Sequence, residues 1–272
     1  MELIKYIILG IVQGFTEPLP ISSSGHVFVF KNLLGASELM NDLNFEIIVN
    51  FGSLIAIILI YFNDIVRLIK NFFLYLKTKN NEYKSDFKYC LLIIIGVIPI
   101  GIAGVLLKDK IESVLGATTT IVGIAFLITS IFLYLVRDIK GRKDDYDITF
   151  ADALFIGFIQ IVALVPGISR SGTTLIAALS RDIKRSPALK YSFMLYIPIS
   201  IGTMILGVKD LITMPNLSDY LLPYGLGFIA SLVVSYFSLR WFKNIMNKGK
   251  LAYFSIYCLL LGLFVLFILK HI

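Results

Sequence analysis

The sequence predicts an all-α polytopic membrane protein: an inverted-topology repeat of six transmembrane helices plus four short re-entrant helices. Three observations carry this. The 272-residue chain is 57% hydrophobic and only 16% charged, against roughly 25% charged in a typical soluble domain. Six apolar stretches approach the roughly 20 residues that a spanning helix needs. A polar, Pro/Ser/Gly-rich segment flanked by short apolar runs occurs twice. The mean hydropathy is +0.85, and a soluble protein this apolar would expose large patches and aggregate. No short apolar run ends at a small-residue cleavage site, so no removable signal peptide is expected.

In chain order, the long stretches are 45–62, 89–107, 119–136, 191–208, 222–241 and 251–270. Four others, 3–15, 26–35, 148–165 and 172–180, are apolar but short or broken. The first short pair flanks EPLPISSSG at 17–25, and the second flanks PGISRSG at 166–172. Non-helical backbone at membrane depth survives only where protein or a polar cavity covers it, so each pair reads as a re-entrant hairpin. Cys90 and Cys258 lie in apolar runs and read as small buried hydrophobes rather than a disulfide or metal site.

The halves resemble each other. At a constant offset of 147, residues 8–26 align with 155–173 and share six identities: Gly10/Gly157, Gln13/Gln160, Ile21/Ile168, Ser22/Ser169, Ser24/Ser171 and Gly25/Gly172. Three long apolar segments follow each motif, which points to an internal duplication within one integral membrane domain, 1–272, with halves of about 1–147 and 148–272. Charge orients them. Segment 63–88 carries six Lys/Arg, and 137–147, 181–190 and 240–250 carry four each; 36–44 carries none, 108–118 two and 209–221 one. Placing the basic segments in the cytoplasm lets the long helices alternate without conflict. An odd number of spans per half makes the repeats inverted, with both hairpin loops meeting near the midplane. The net charge of +7 is accounted for by this asymmetry and by anionic lipid; nothing calls for nucleic acid. The basic loop 63–88 reads as a solvated topology signal, and Trp241 as an interface anchor.

The hairpin loops concentrate the chemistry. The first carries Gln13, Thr16, Glu17, Ser22, Ser23, Ser24 and His26; the second carries Ser169, Arg170, Ser171, Thr173 and Thr174. A carboxylate, an imidazole and a guanidinium are each costly inside membrane segments and mark a functional site by default. Arg170 offers a planar fork suited to phosphate oxygens. Gly167, Gly172 and Gly25 permit close approach of backbone N–H groups, and two short helices would aim their N-termini at the same place. Together these make a cradle for a phosphate or diphosphate. Glu17 can hold a phosphate-bridging cation or act as a base. His26 can move protons or attack phosphorus, and Ser22 or Ser23 can be the nucleophile if His26 activates it.

Structural roles compete with these. Serine and glycine are common at close-packed membrane helix interfaces, which weighs on Ser22, Ser24, Ser169 and Ser171. Gln160 reads as a cross-helix hydrogen-bonding residue. Glu46, early in its helix, faces the site or the interface; Asn50, one turn deeper, supports the site or only packs.

QGFTEPLPISSSGH (13–26) together with PGISRSGTT (166–174) resembles the bacitracin-resistance type of undecaprenyl-diphosphate phosphatase, and the likeness extends along the chain through the FE…GS segment at 45–53 and the Pro99 and Pro198 helices. The resemblance implies hydrolysis of undecaprenyl diphosphate to undecaprenyl phosphate, the recycled lipid carrier of cell-wall synthesis. It assigns catalysis to Glu17, Ser23, His26 and Arg170, and diphosphate binding to Gln13, Ser22, Ser24, Gly25, Ser169, Ser171, Gly172 and Thr174. It further implies a divalent metal, Mg or Ca, with Glu17 as ligand. The family's acidic motif has Glu or Gln four residues before a Glu. Gln13 here leaves one carboxylate, so a metal would need substrate oxygens, water or another side chain. The implied location is the bacterial plasma membrane with the site opening outward. The partners are the lipid and the bilayer; a homodimer is compatible with the sequence, which does not set the oligomeric state. The nucleophile stays open among Ser23, His26 and water. The competing function is a transporter of prenyl phosphate lipids, because broken helices at the midplane are also how transporters are built.

Overall fold

A computed structural model describes residues 2–36, 43–214 and 217–269. His271 and most of segment 36–44, which lacks Lys and Arg, lie outside the described residues. All regular elements among the described residues are helical. In order they are α1 (Glu2–Thr16), α2 (Ser23–Leu33), α3 (Leu43–Ile60), α4 (Phe62–Thr78), α5 (Lys84–Leu115), α6 (Thr119–Val136), α7 (Phe150–Gln160), α8 (Arg170–Ser180), α9 (Arg185–Ile212), α10 (Leu217–Asn247) and α11 (Leu251–Phe267). Five of them, α3, α5, α6, α9 and α10, are long and apolar enough to cross a membrane. The sixth expected span, α11, is apolar but only 17 residues long as described. The chain is thus an all-helical polytopic membrane protein.

Close helix packing follows from residue size. Gly10 of α1 lies against the backbone of Gly227 on α10, and Gly157 of α7 lies against Gly96 on α5. A Cβ at Gly10 would come within 2.9 Å of the Gly227 backbone, and one at Gly157 within 3.1 Å of Gly96 Cα. Small residues are what let membrane helices approach this closely. Serine hydroxyls join the helices through backbone carbonyls. Ser235 donates to Gly14 O at 2.9 Å and Ser231 to Val49 O at 2.6 Å, tying α10 to α1 and α3. Ser130 and Ser255 donate to each other's carbonyls at 2.8 and 2.9 Å, tying α6 to α11.

One expectation is corrected. Segment 63–88 is not a solvated loop: most of it is α4, followed by a 3-10 turn at Asn81–Tyr83 and the start of α5. The cause is helical spacing of apolar residues. Leu68 is buried, and the rings of Phe72 and Tyr75 lie 5.1 and 4.6 Å from Phe87 of α5. Phe62, Val66, Ile69, Phe73 and Leu76 form a second, exposed stripe. Segments 137–147 and 181–190 are held by ion pairs. Asp152, fully buried, accepts from Lys143 at 2.8 Å and Arg181 at 2.7 Å, while Lys190 bridges Asp64 and Asp145 at 3.0 and 2.9 Å.

Candidate active site

Both polar loops end in the same helix start. Ser22 caps α2, its Oγ accepting from Gly25 N at 3.1 Å; Ser169 caps α8, its Oγ accepting from Gly172 N at 3.0 Å. A serine N-cap satisfies one of the first-turn donors, so these two hydroxyls and two glycines are spent on folding the loops. The helices begin three and two residues earlier than the apolar runs 26–35 and 172–180 suggest, so Ser23 and Arg170 are first-turn residues. They occupy equivalent positions, 147 apart.

The loops interlock. Ser171 Oγ donates to Leu19 O at 2.9 Å. Gly172 faces the Pro20 carbonyl closely enough that a Cβ there would sit 3.1 Å from it. This seats Arg170 beside Glu17, which is only 7% exposed. Glu17 Oε1 accepts from Arg170 Nη2 at 3.0 Å. Its Oε2 accepts from Gln13 Nε2 at 2.8 Å and from the Ser23 hydroxyl. Arg170 lies over the Tyr196 ring, 4.3 Å from its centroid, and Tyr196 donates to Asn50 Oδ1 at 2.7 Å. The Arg170 side chain keeps 21% exposure.

The structure therefore brings Gln13, Glu17, Ser23 and Arg170 into one contact set, with Ser171 locking it. Ser24 is exposed at the start of α2, its Oγ 3.4 Å from that of Ser22. Thr174 is engaged by its own helix and by α9: its hydroxyl lies 3.1 Å from the Arg170 carbonyl and pairs with Ser192. His26 is not bonded to Ser23. Its Nδ1 meets the Ser22 carbonyl at 2.6 Å and its Nε2 meets Tyr257 Oη at 2.7 Å. The expected activation of Ser23 by His26 is thus replaced by a contact with Glu17. Gln160, fully buried, makes no cross-helix hydrogen bond: neither of its amide atoms has a partner among the described residues. The acid that serves Gln13 is Glu17; the equivalent position near Gln160 is Leu164.

Three residues were not singled out from sequence. Tyr196 and Tyr257 are two among 14 tyrosines and carried no distinguishing signal. Lys31, 2% exposed, pairs with Glu46 at 2.5 Å; it lies in a short apolar helix, and a cation there was a signal of the same kind as Arg170.

Among the described residues, no three acidic, His or Cys side chains group to hold a metal. Glu17 is a lone carboxylate with a guanidinium on one oxygen and two donors on the other, which is a poor donor set for a divalent cation.

Known proteins match the chain over nearly its whole length. The family described as bacitracin resistance protein BacA matches residues 6–264. The chain is similar to undecaprenyl-diphosphatase 1 of Bacillus licheniformis, 49% identical over 266 residues, spanning 98% of each chain. It is 46% identical to undecaprenyl-diphosphatase 1 of Bacillus cereus, over 98% of this chain and 97% of that one. To the undecaprenyl-diphosphatase of Oceanobacillus iheyensis it is 44% identical, again over 98% and 97%.

Proposed function

The chain belongs to the family of the bacitracin resistance protein BacA, and from that premise we propose how it works as an undecaprenyl-diphosphatase. It hydrolyses undecaprenyl diphosphate to undecaprenyl phosphate and inorganic phosphate, which recycles the lipid carrier and confers bacitracin resistance. The observation that carries the mechanism is the carboxylate of Glu17, shared between the Ser23 hydroxyl and Arg170.

Glu17 takes the Ser23 proton as Ser23 Oγ attacks the terminal phosphorus. The P–O bond to the bridging oxygen breaks, and undecaprenyl phosphate leaves. Glu17 releases that proton to solvent, then accepts one from the water that attacks the phosphoserine and passes it to Ser23 Oγ, which leaves as the hydroxyl. Arg170 holds the phosphoryl oxygens throughout, and charge stabilisation there is the main catalytic contribution. Tyr196 fixes the guanidinium plane from behind; Gln13 orients the carboxylate. His26, with both ring nitrogens engaged, suits neither the nucleophile nor the base. No step is routed through a metal, because the residues present offer it one carboxylate already paired with Arg170.

The finer architecture belongs to the same proposal: six spanning helices, α3, α5, α6, α9, α10 and α11, around two re-entrant hairpins, α1–α2 and α7–α8, with inverted topology. The equivalent caps on α2 and α8 and the exchanged glycine contacts support it. In this reading the basic segments lie in the cytoplasm of the bacterial plasma membrane, and the site opens outward.

The test is phosphate release from a prenyl diphosphate by purified protein, with phosphate trapped on Ser23 in a rapid quench. Ser23→Ala should abolish both. Normal turnover in that variant would remove Ser23 as nucleophile. Headgroup translocation in liposomes without phosphate release would instead make the protein a transporter.

A further inference from the structure

We propose that Tyr257 is a positioning residue for the phosphatase site, holding through His26 the turn that presents Ser23; this rests on reading Ser23 as the nucleophile. A carbonyl oxygen only accepts, so the 2.6 Å contact between His26 Nδ1 and Ser22 O requires the proton on Nδ1. Nε2 of the neutral ring is then an acceptor, and the Tyr257 hydroxyl at 2.7 Å must donate to it. The result is a directed chain: Tyr257 O–H to His26, and His26 N–H to the Ser22 carbonyl. The imidazole is also clamped by its neighbours. Tyr257 lies parallel to it, 6° between planes with centroids 5.5 Å apart, and Phe126 of α6 meets it edge-on at 5.1 Å.

The chain ends where the backbone is strained. Ser22 has φ 70° and ψ 94°, a left-handed conformation that costs free energy in a residue with a Cβ and persists only where the surroundings over-determine it. Ser23 is the next residue. Strain released at Ser22 would swing the Ser23 hydroxyl away from Glu17.

The second hairpin supplies the control. Thr173 stands where His26 stands, and its Oγ1 donates to the Ser169 carbonyl at 2.7 Å. There the link stops. Ser169 is unstrained, at φ −72°, and presents no nucleophile. Only the strained cap is tethered onward to another helix, and the tether ends on α11 at a tyrosine 43% exposed on the molecule's flank.

The experiment uses purified full-length protein and a prenyl diphosphate, measuring kcat and KM for wild type, Tyr257→Phe, His26→Thr and the double variant. Tyr257→Phe should lower kcat by about tenfold or more with KM little changed, as expected for a misplaced reacting group. His26→Thr copies the second hairpin and removes the acceptor for Tyr257, so adding Tyr257→Phe to it should cost nothing further. An unchanged kcat, a change in KM alone, or losses that multiply in the double variant would each overturn the proposal. The chain has two histidines, so 15N-histidine spectra of wild type, assigned with His271→Asn, give a reading independent of any variant's folding. An Nδ1–H tautomer for His26 is expected, and an Nε2–H tautomer sinks the proposal. If Ser23→Ala keeps turnover, the mechanism above has failed; if it loses turnover and Tyr257→Phe does not, only the present inference has.

Discussion

The two hairpins share a frame and divide the chemistry. Each ends in a serine cap that accepts from the glycine three residues on, and each starts with a helix pressed through a glycine onto a long helix of the other half. On that common frame, equivalent positions hold Ser23 in one hairpin and Arg170 in the other. Glu17 has no acidic counterpart, since Leu164 takes its place. In the proposed mechanism the first hairpin is the one that attacks, and it carries the strained Ser22. In the same mechanism the second is the one that binds, and its backbone is relaxed apart from Gly167, at φ 89°, a conformation glycine adopts at no steric cost. The shared serine caps and glycines therefore report on folding, and the residues that differ on function.

The largest effect that would break this division is at the charged pair. Glu17→Ala and Arg170→Ala should each lower turnover by about a thousandfold, the scale of a lost general base or phosphoryl-binding arginine, while the protein still folds. Arg170→Lys should recover little, because an ammonium neither stacks flat on Tyr196 nor offers a fork. Near-normal turnover in either alanine variant would dissolve the assignment.

Next come the shared glycines. Gly10→Ala and Gly157→Ala each push a methyl into a facing backbone, so each should destabilise the protein by about 1–3 kcal/mol. Thermal unfolding in detergent would show it, and a large asymmetry between them would argue against an equivalent frame.

The glutamines should part company. Gln13→Leu removes the donor that orients Glu17 and should reduce turnover by about tenfold, the size of one hydrogen bond to a charged group. Gln160→Leu replaces a buried amide lacking partners and should leave turnover intact and raise stability by about 1 kcal/mol. The reverse pattern would show that Gln160 serves a site of its own.

The smallest contrast is between the caps. Ser169→Gly loses a cap for a few tenths of a kcal/mol. Ser22→Gly loses the same cap but relieves a left-handed residue, so it should be neutral or stabilising in thermal unfolding while turnover falls. Equal stability losses at both positions would mean that the strain at Ser22 is not real.

Much of this was legible in the sequence. Composition and apolar run length located the helices, because membrane burial is read locally, residue by residue. Glu17 and Arg170 stood out because charges in a broken apolar segment are too costly to be idle, and the family resemblance picked Ser23 from its neighbours. The sequence misled where local signals were ambiguous: basic residues hid the apolar spacing of α4, and a histidine beside a serine suggested a pair that does not form.

What the sequence determined by itself is the class of protein, the places where its helices break and the identity of the costly polar groups; composition and periodicity suffice for these. Only the tertiary structure decided which group faces which: Ser23 on Glu17, Arg170 between Glu17 and Tyr196, and His26 turned to Tyr257. Apart from Ser23 on Glu17, six residues away, these contacts join segments far apart in the chain. Hydrogen-bond energy falls steeply with distance and angle, so a one-residue rotation of a helix start reassigns every partner without altering the pattern along the chain.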